Sequence, residues 1–329
     1  MSQGDSISSL IHQVKSNTLV HALLISGEEG VGKWTLAKST AAALLCSDQG
    51  DVKPCGHCRS CLQMESLANP NLTVLEKGAP ISDTTTKTVI PVSDIREMIR
   101  RVSLNGFQGE RRVVLIHRAE DLNQAAQDAF LKTLEEPPED TYFILTCKAP
   151  ENLLTTIVSR CRPLKLHPWG RDDVLRILSE NGFTGSKAAD AADAAGGSPG
   201  KALTVAGDEA YWTFRDEVYR DFLFTESHSD ILRISTKWKD RKAEAESLLT
   251  MLEHFLDQLM RCALCGEDFP LQKNRDAERW VSFADKATKQ DFIRLFDAVS
   301  LARNRVLSQV NFQAAVEQLL FAFMEAVNI

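Results

Sequence analysis

Four cysteines near the start of the chain have the spacing of a metal site. Their pattern is C-x8-C-x2-C-x2-C, formed by Cys46, Cys55, Cys58 and Cys61. Four thiolates this close can surround one tetrahedral Zn²⁺, and the ion would be structural because four sulfur ligands leave no open position. Buried free thiols are the alternative, but they do not explain three cysteines within seven residues. We therefore predict a structural zinc module over residues 46–61, with Gly56 in its turn and His57 as a solvated bystander.

A glycine-rich loop lies thirteen residues before the first of these cysteines. The segment Gly27–Lys33 has the sequence GEEGVGK, which matches the first seven positions of the Walker A phosphate-binding pattern. Glycines let backbone N–H groups converge on phosphate oxygens, and the lysine reaches the terminal phosphates. The residues predicted to bind nucleotide are Gly27, Gly30, Gly32, Lys33 and Thr35. Two interpretations stay open, namely real nucleotide binding and a turn that shapes the fold, with ATP absent or weakly bound.

Two defects affect the magnesium site that this loop would need. The eighth Walker A position holds Trp34, which lacks the hydroxyl that ligates Mg²⁺, and Thr35 lies about 100° further round the helix. The third predicted strand ends in His117-Arg118, where the Walker B pattern needs an aspartate. Glu120 and Asp121 come later and are predicted to begin the next helix. The sequence therefore argues against an autonomous ATPase.

The overall composition is that of a soluble globular protein. The 329 residues are 43% hydrophobic and 25% charged, and the net charge of −7 argues against binding nucleic acid mainly through the chain's own positive field. No apolar run approaches the roughly 18 residues that can span a bilayer, and residues 1–10 lack the features of a signal peptide. Eight cysteines, four of them in metal spacing, indicate reduced thiols. We expect a cytoplasmic protein.

Strand and helix patterns alternate up to residue 167, and beyond it only helical patterns remain. Alternation of this kind predicts a mostly parallel sheet with helices on both faces. The predicted fold is therefore α/β followed by all-α. The predicted domains are a P-loop domain with the zinc module at 1–167, a small helical lid at 168–207 and a helical collar for oligomerisation at 208–329.

Three further motifs carry a family resemblance. Residues 131–138 have the sequence LKTLEEPP, residues 159–161 have SRC, and residues 310–312 have VNF, with Glu317 and Leu319-Leu320 downstream. Together with the P-loop and the cysteine module, these motifs resemble the AAA+ subunits of bacterial clamp loaders over essentially the whole chain. Within that family the chain resembles the delta-prime class. The motor (gamma/tau) class has intact Walker motifs and an arginine shortly after the lid glycine, whereas Gly200 is followed here by Lys201.

The resemblance implies a subunit of the DNA polymerase III holoenzyme, a nucleotidyltransferase. Its partners would be the motor and delta subunits in a hetero-pentamer, the sliding clamp and primed DNA. This subunit would be a stator, and Arg160 would be an arginine finger that stabilises charge on a neighbour's γ-phosphate. A surface arginine paired with a local acid is the alternative for Arg160.

Two other functions stay open at this point. One is a working clamp-loader ATPase of the motor class, and the other is a zinc-knuckle nucleic-acid-binding protein with a vestigial P-loop domain. A basic strip could face DNA phosphates or simply be a solvated surface; its members are Arg96, Arg100, Arg101, Arg111 and Arg112. Cys262 and Cys265 form a further C-x2-C pair, which is predicted to be a packed helix face.

Overall fold

The computed structural model describes residues 3–16, 18–48, 50, 52–79, 81–82, 88–104, 111–265, 278–308 and 311–327. The chain forms two compact units. The N-terminal unit comprises residues 1–182 and 195–203, and the C-terminal unit comprises residues 183–194 and 204–329. No helix among the described residues is long and apolar enough to cross a membrane. The finer division at residues 167 and 207 stays a prediction.

The N-terminal unit contains a five-stranded parallel sheet in the order β2-β3-β4-β1-β5. The strands are β1 (Ala22–Ser26), β2 (Leu72–Leu75), β3 (Arg112–Ile116), β4 (Thr141–Cys147) and β5 (Arg162–Lys165). The inner strands β1, β3 and β4 are almost entirely buried, as their near-continuous apolar sequences predict for a sheet that is covered on both faces. The predicted parallel sheet is confirmed.

Helices cover both faces of this sheet. They are α1 (Gln3–Lys15), α2 (Lys33–Leu45), α3 (Arg59–Glu65), α4 (Val92–Leu104), α5 (Gln124–Glu135) and α6 (Thr155–Val158), with 3-10 turns at Ala119–Asp121 and Pro150–Asn152. A further helix of this unit is α7 (Arg171–Glu180). Side chains of β1 alternate between the two faces, so Leu23 and Ile25 pack with α2 while Ala22 and Leu24 pack with α4 and α5. Two separate hydrophobic cores result.

The C-terminal unit is helical throughout its described residues. It contains α8 (Gly185–Ala194), residues 204–207 at the end of α9 (Pro199–Gly207), α10 (Glu209–Leu223), α11 (His228–Trp238), α12 (Ala245–Cys265), α13 (Glu278–Lys286), α14 (Lys289–Leu307) and α15 (Phe312–Val327), with a 3-10 turn at Lys242–Glu244. Its core is built around the fully buried Trp238 and Trp280 with several phenylalanines. Capping boxes start α11 at Ser227 and α14 at Thr288, which fixes where these helices begin. The predicted all-α half is confirmed.

A buried carboxylate joins two helices of this unit. The Oδ2 atom of Asp221 accepts hydrogen bonds from Trp238 Nε1 at 2.8 Å and Lys237 Nζ at 2.6 Å, and Asp221 is only 5% exposed. Lys237 has a second partner in Glu217, at 2.8 Å. Trp238 is fully buried, so its indole N–H depends on Asp221 alone among the contacts described.

We expect Asp221→Ala to lower the free energy of unfolding by about 1–3 kcal/mol, because a buried donor loses its acceptor. Asp216→Ala is the matched control on the same helix, since the side chain of Asp216 is 65% exposed. The control should cost less than about 1 kcal/mol. Urea unfolding followed by tryptophan fluorescence measures both changes, and equal effects would contradict the assignment.

Candidate functional site

The phosphate-binding loop joins the carboxyl end of β1 to the first turn of α2. Gly27, Gly30 and Gly32 all have positive φ angles, of 148°, 77° and 101°, which side-chain-bearing residues rarely adopt. A Cβ atom on Gly27 would also lie 2.5 Å from the carbonyl oxygen of Leu166. The predicted loop geometry is therefore present, and it depends on these glycines.

Lys33 is engaged by the loop itself. Its Nζ atom donates hydrogen bonds to the carbonyl oxygens of Gly27 and Glu28, both at 2.7 Å. Burial lowers the pKa of Lys33, although the carboxylates of Glu120, Glu29 and Glu28 oppose this shift. A phosphate group would therefore have to draw the ammonium group away from two existing acceptors.

Two aromatic rings meet where magnesium ligands would be expected. Trp34 occupies the eighth Walker A position, and it stacks on His117, which directly follows β3; the ring centroids are 4.4 Å apart and the planes differ by 28°. Burial lowers the pKa of His117, although Glu76 lies 3.7 Å from its Nδ1 atom and raises it. Mg²⁺ prefers oxygen ligands in octahedral geometry, and neither ring offers one. Thr35, the residue after Trp34, lines the cavity beside Lys33.

The cavity beside Lys33 has a volume of about 250 Å³. This is below the range of roughly 300–1,000 Å³ that is typical of ligand pockets. Its lining includes Glu120. The prediction that Glu120 and Asp121 begin the next helix is wrong, because both lie in the 3-10 turn and α5 begins only after the cap at Asn123. Oε1 of Glu120 accepts from the N–H of Lys148 at 3.0 Å, while the buried Oε2 has no hydrogen-bond partner among the described residues. This carboxylate disfavours a bound phosphate.

Residues far along the chain bind the backbone of the phosphate loop. Trp169 Nε1 donates to Val31 O at 2.9 Å, Ser198 Oγ donates to Glu29 O at 3.0 Å, and the N–H of Gly200 donates to Gly30 O at 2.9 Å. We call these three residues the P-loop clasp. A Cβ atom on Gly200 would approach the backbone of Gly30 to 3.0 Å, so glycine is required for this close contact.

The four predicted zinc ligands come together in the structure. All four sulfur atoms lie within 4.8 Å of one another, with Cys46 and Cys58 at 4.0 Å and Cys55 and Cys61 at 3.9 Å. A tetrahedral Zn²⁺ with Zn–S bonds of about 2.3 Å requires sulfur atoms about 3.8 Å apart, which these distances match. The donor set therefore fits a structural zinc ion.

The protein supports this cluster through backbone and side-chain hydrogen bonds. The N–H groups of Cys58 and Cys61 point to the sulfur atoms of Cys55 and Cys58, at 3.3 and 3.4 Å. Hydrogen bonds from Ser47 and Cys61 lower the pKa of the Cys58 thiol to about 5, whereas burial raises the pKa of the Cys61 thiol to about 12. Just beyond the cluster, Asn69 Nδ2 donates to Ser60 Oγ at 2.9 Å and ties α3 to the approach to β2.

His57 and the second cysteine pair are predicted to bind no metal. The side chain of His57 is 75% exposed, and its Nδ1 atom lies 3.0 Å from the carbonyl oxygen of Cys55, in agreement with a solvated turn residue. Cys262 is half-buried on α12, while the side chain of Cys265 lies outside the described residues. Among the residues described, Cys262 belongs to no metal-ligand cluster.

Arg160 lies at the opposite end of the sheet from the phosphate loop. In the parallel β1–β5 pair, Ser26 before the loop is opposite Lys165, whereas Leu23 at the amino end is opposite Arg162. Arg160 comes two residues before Arg162, and it does not line the cavity beside Lys33. Its Nη2 atom forms an ion pair with Glu135 at 2.5 Å. In the isolated chain Arg160 is therefore paired with a local acid, as the alternative interpretation predicted.

Comparison with known proteins identifies the family. Residues 2–170 match the family model described as DNA polymerase III, delta subunit, and this segment is just over half of the chain. The chain belongs to this family. The delta-prime subunit of Escherichia coli K12 is 37% identical over 188 residues, which cover 56% of this chain and 54% of that protein. The delta-prime subunit of Bacillus subtilis 168 is 25% identical over 334 residues, which cover 96% of this chain and 94% of that protein.

The match to the E. coli relative thus spans about half of that protein's length. A tau/gamma subunit from Haemophilus influenzae is also similar, at 35% identity over 155 residues, 47% of this chain and 21% of that protein. A solved gamma-subunit-related protein from Thermotoga maritima covers 98% of this chain and 100% of its own, at 15% identity and a TM-score of 0.41. Membership of the delta-prime family, predicted from the motifs, is confirmed.

Some residues at the site of this delta-prime family member were missed by sequence reasoning. Ser198 lies in a glycine-rich segment that signals only irregular backbone, and Trp169 has no local signal at all. Gly200 was noted only as the glycine of the lid motif, not for its contact with the phosphate loop. Their contacts with the phosphate loop depend on residues nearly 140 or more positions apart in the chain. Lys201 is exposed and does not line the cavity.

The zinc assignment predicts about one Zn²⁺ per chain by elemental analysis, since four thiolates at tetrahedral spacing hold one ion. Cys58→Ser should remove most of this metal and lower the melting temperature of the N-terminal unit, because a structural site contributes folding free energy. Cys262→Ser is the control and should keep the full zinc content. Unchanged zinc in Cys58→Ser would contradict the site.

The aromatic pair predicts that Mg²⁺ leaves the affinity of the isolated chain for adenine nucleotide unchanged within about twofold, because neither ring can ligate the ion. The double variant W34T/H117D restores a hydroxyl and a carboxylate at these positions and should gain a Mg²⁺-dependent increase in affinity. Titration of a fluorescent ATP analogue with magnesium or with EDTA measures both. Magnesium-stimulated binding by the unsubstituted chain would refute the assignment.

Proposed function

We propose that this chain is the delta-prime subunit of a DNA polymerase III clamp loader. In that complex it completes the ATP site of a neighbouring subunit and does not hydrolyse ATP at its own phosphate loop. In this role it is a stator and arginine-finger donor during the ATP-driven loading of the sliding clamp onto primed DNA. The observation that carries the proposal is the contrast between the two ends of the sheet. The phosphate-loop end has an aromatic pair where magnesium ligands are needed, and the other end presents Arg160.

The position of Arg160 supports action on another subunit. The strand β5 separates this arginine from its own phosphate loop by the length of the sheet, so its guanidinium group has no path to a nucleotide at Lys33. The side chain is 34% exposed and carries a fixed positive charge. An arginine supplied in trans can stabilise the charge on a transferring phosphoryl group and accelerate hydrolysis by about 10³–10⁵.

The P-loop clasp supports the stator role. In a motor subunit, opening and closing around nucleotide requires the phosphate loop and the segments that cover it to separate. Here Trp169, Ser198 and Gly200 hydrogen-bond directly to loop carbonyls. Lys33 is likewise bonded within its own loop. These contacts tie the phosphate loop to the segments around it, which favours a fixed scaffold over a moving part.

The proposed partners are the motor (gamma/tau) and delta subunits in a hetero-pentamer, together with the sliding clamp and primed DNA. The likeness to both delta-prime and tau/gamma proteins supports membership of such an assembly and of the polymerase holoenzyme. The proposed role in DNA replication implies a cytoplasmic location. Any nucleotide at Lys33 would be bound without the help of magnesium ligands from Trp34 or His117.

The two other candidate functions are less favoured. A working ATPase of the motor class needs the magnesium ligands that Trp34 and His117 replace. A lone nucleic-acid-binding protein needs free basic groups, yet much of the basic strip is engaged within the fold. Arg112 donates to the carbonyls of Val102 and Glu139, Arg111 donates to Leu44 O, and Arg100 and Arg101 hydrogen-bond to Glu97 and lower its pKa to about 2.

We expect Arg160→Ala to slow ATP hydrolysis at one site of the reconstituted assembly by about 10³-fold or more, because the charge on the γ-phosphate loses its partner. Clamp loading should fall with it, while the variant keeps the melting temperature of the parent. The control is Arg162→Ala, an exposed arginine two residues further on. Steady-state ATPase and clamp-loading assays with motor and delta subunits measure these effects. Clamp loading at the parental rate by Arg160→Ala would falsify the arginine-finger role.

A further inference from the structure

The guanidinium group of Arg160 is held in place by its own subunit. Nη2 donates to Glu135 Oε1 at 2.5 Å, and Nη1 donates to the carbonyl oxygen of Thr156 at 2.9 Å, with Ser159 Oγ at 3.5 Å. The Nε–H group makes no hydrogen bond in the described part of the chain. One edge of the guanidinium plane is therefore anchored, and another donor stays available.

The backbone on both sides of this ion pair is fixed by buried residues. On α5, Leu134 lies directly before Glu135 and is buried, and near α6 the buried Ile157 and Cys161 flank Arg160. The two helices are also joined by a hydrogen bond from Leu154 N to Gln127 Oε1, at 2.9 Å. Because the Cα positions are fixed in this way, only the rotatable side chain of Arg160 is left to be ordered.

Glu135 has an unusual location for a carboxylate. It is the last residue of α5, where the negative end of the helix dipole disfavours an anion. Its own helix therefore gains nothing from this charge. The same end of α5 favours a cation, so Glu135 and the helix terminus both attract the guanidinium group to one place.

We infer that Glu135 is a positioning residue for Arg160, which pre-orders the guanidinium group for presentation to a phosphate of the neighbouring ATP site. This inference rests on the proposed arginine-finger function and adds a second residue to it. An arginine loses substantial rotamer freedom when it is fixed, and an interaction that fixes it beforehand removes this loss from the catalytic step. Glu135 acts through Arg160 and touches no substrate.

The experiment uses the assembly reconstituted with its motor and delta subunits. Glu135→Ala should lower the kcat of ATP hydrolysis about two- to fivefold and leave KM unchanged. A fold-change in kcat of this size corresponds to the contribution of one exposed ion pair. Glu135→Gln keeps an acceptor oxygen for Nη2 but loses the charge, so it should restore part of the rate. The matched control is Glu136→Ala, because Glu136 is the next residue, is also exposed and makes none of the hydrogen bonds to Arg160.

A double-mutant cycle separates positioning from a merely structural role. If Glu135 acts through Arg160, the double variant E135A/R160A should have the same rate as R160A. High salt should also shrink the effect of Glu135→Ala, because exposed charges are screened.

Three results would overturn this inference alone. One is a loss in R160A together with parental activity in E135A, and another is additive losses in the double variant. A faster rate in E135Q would also overturn it, because Glu135 would then restrain the arginine by charge. Parental activity in R160A itself would instead overturn the proposed function.

Discussion

Parallel pairing between β1 and β5 is the constraint on which the functional layout of this protein depends. Backbone hydrogen bonds place Ser26 opposite Lys165 and Leu23 opposite Arg162, so the two strands run side by side in the same direction. The phosphate loop follows β1 and the SRC segment precedes β5. In a parallel sheet these two positions must lie at opposite ends of the strands. A phosphate-binding motif and an arginine in one chain are thereby kept apart.

At the loop end, the protein's own groups hold the positions around which a nucleotide would bind. Lys33 is bonded to two carbonyl oxygens, Trp34 is stacked on His117, and the clasp residues hold three more carbonyls. Each neutral hydrogen bond contributes about 0.5–1.5 kcal/mol net, and an aromatic pair contributes about 0.5–1.5 kcal/mol beyond its buried area. Displacing several such contacts is unfavourable, so the loop is stable in its present form.

Some features of the site could be predicted from the sequence because they depend on near neighbours in the chain. Three of the zinc ligands lie within seven residues, and the glycines of the loop are followed directly by Lys33. The missing magnesium ligands were visible for the same reason, since each defect is one residue in a short motif. The prediction that Glu120 begins the next helix was wrong because a separate 3-10 turn precedes α5, and no local pattern signals that turn.

The sequence by itself determined the family, the α/β half followed by the helical half, the thiol cluster and the identity of Arg160 as the residue of interest. These features follow from periodicity and from motifs whose parts are close together in the chain. Only the tertiary structure decided that Trp34 lies against His117, that Trp169 and Ser198 bind the phosphate loop, and that Glu135 holds Arg160. These contacts join residues 25 to 169 positions apart, and packing of the sheet and its helices brings them together. Local sequence patterns do not predict contacts between residues that are this far apart in the chain.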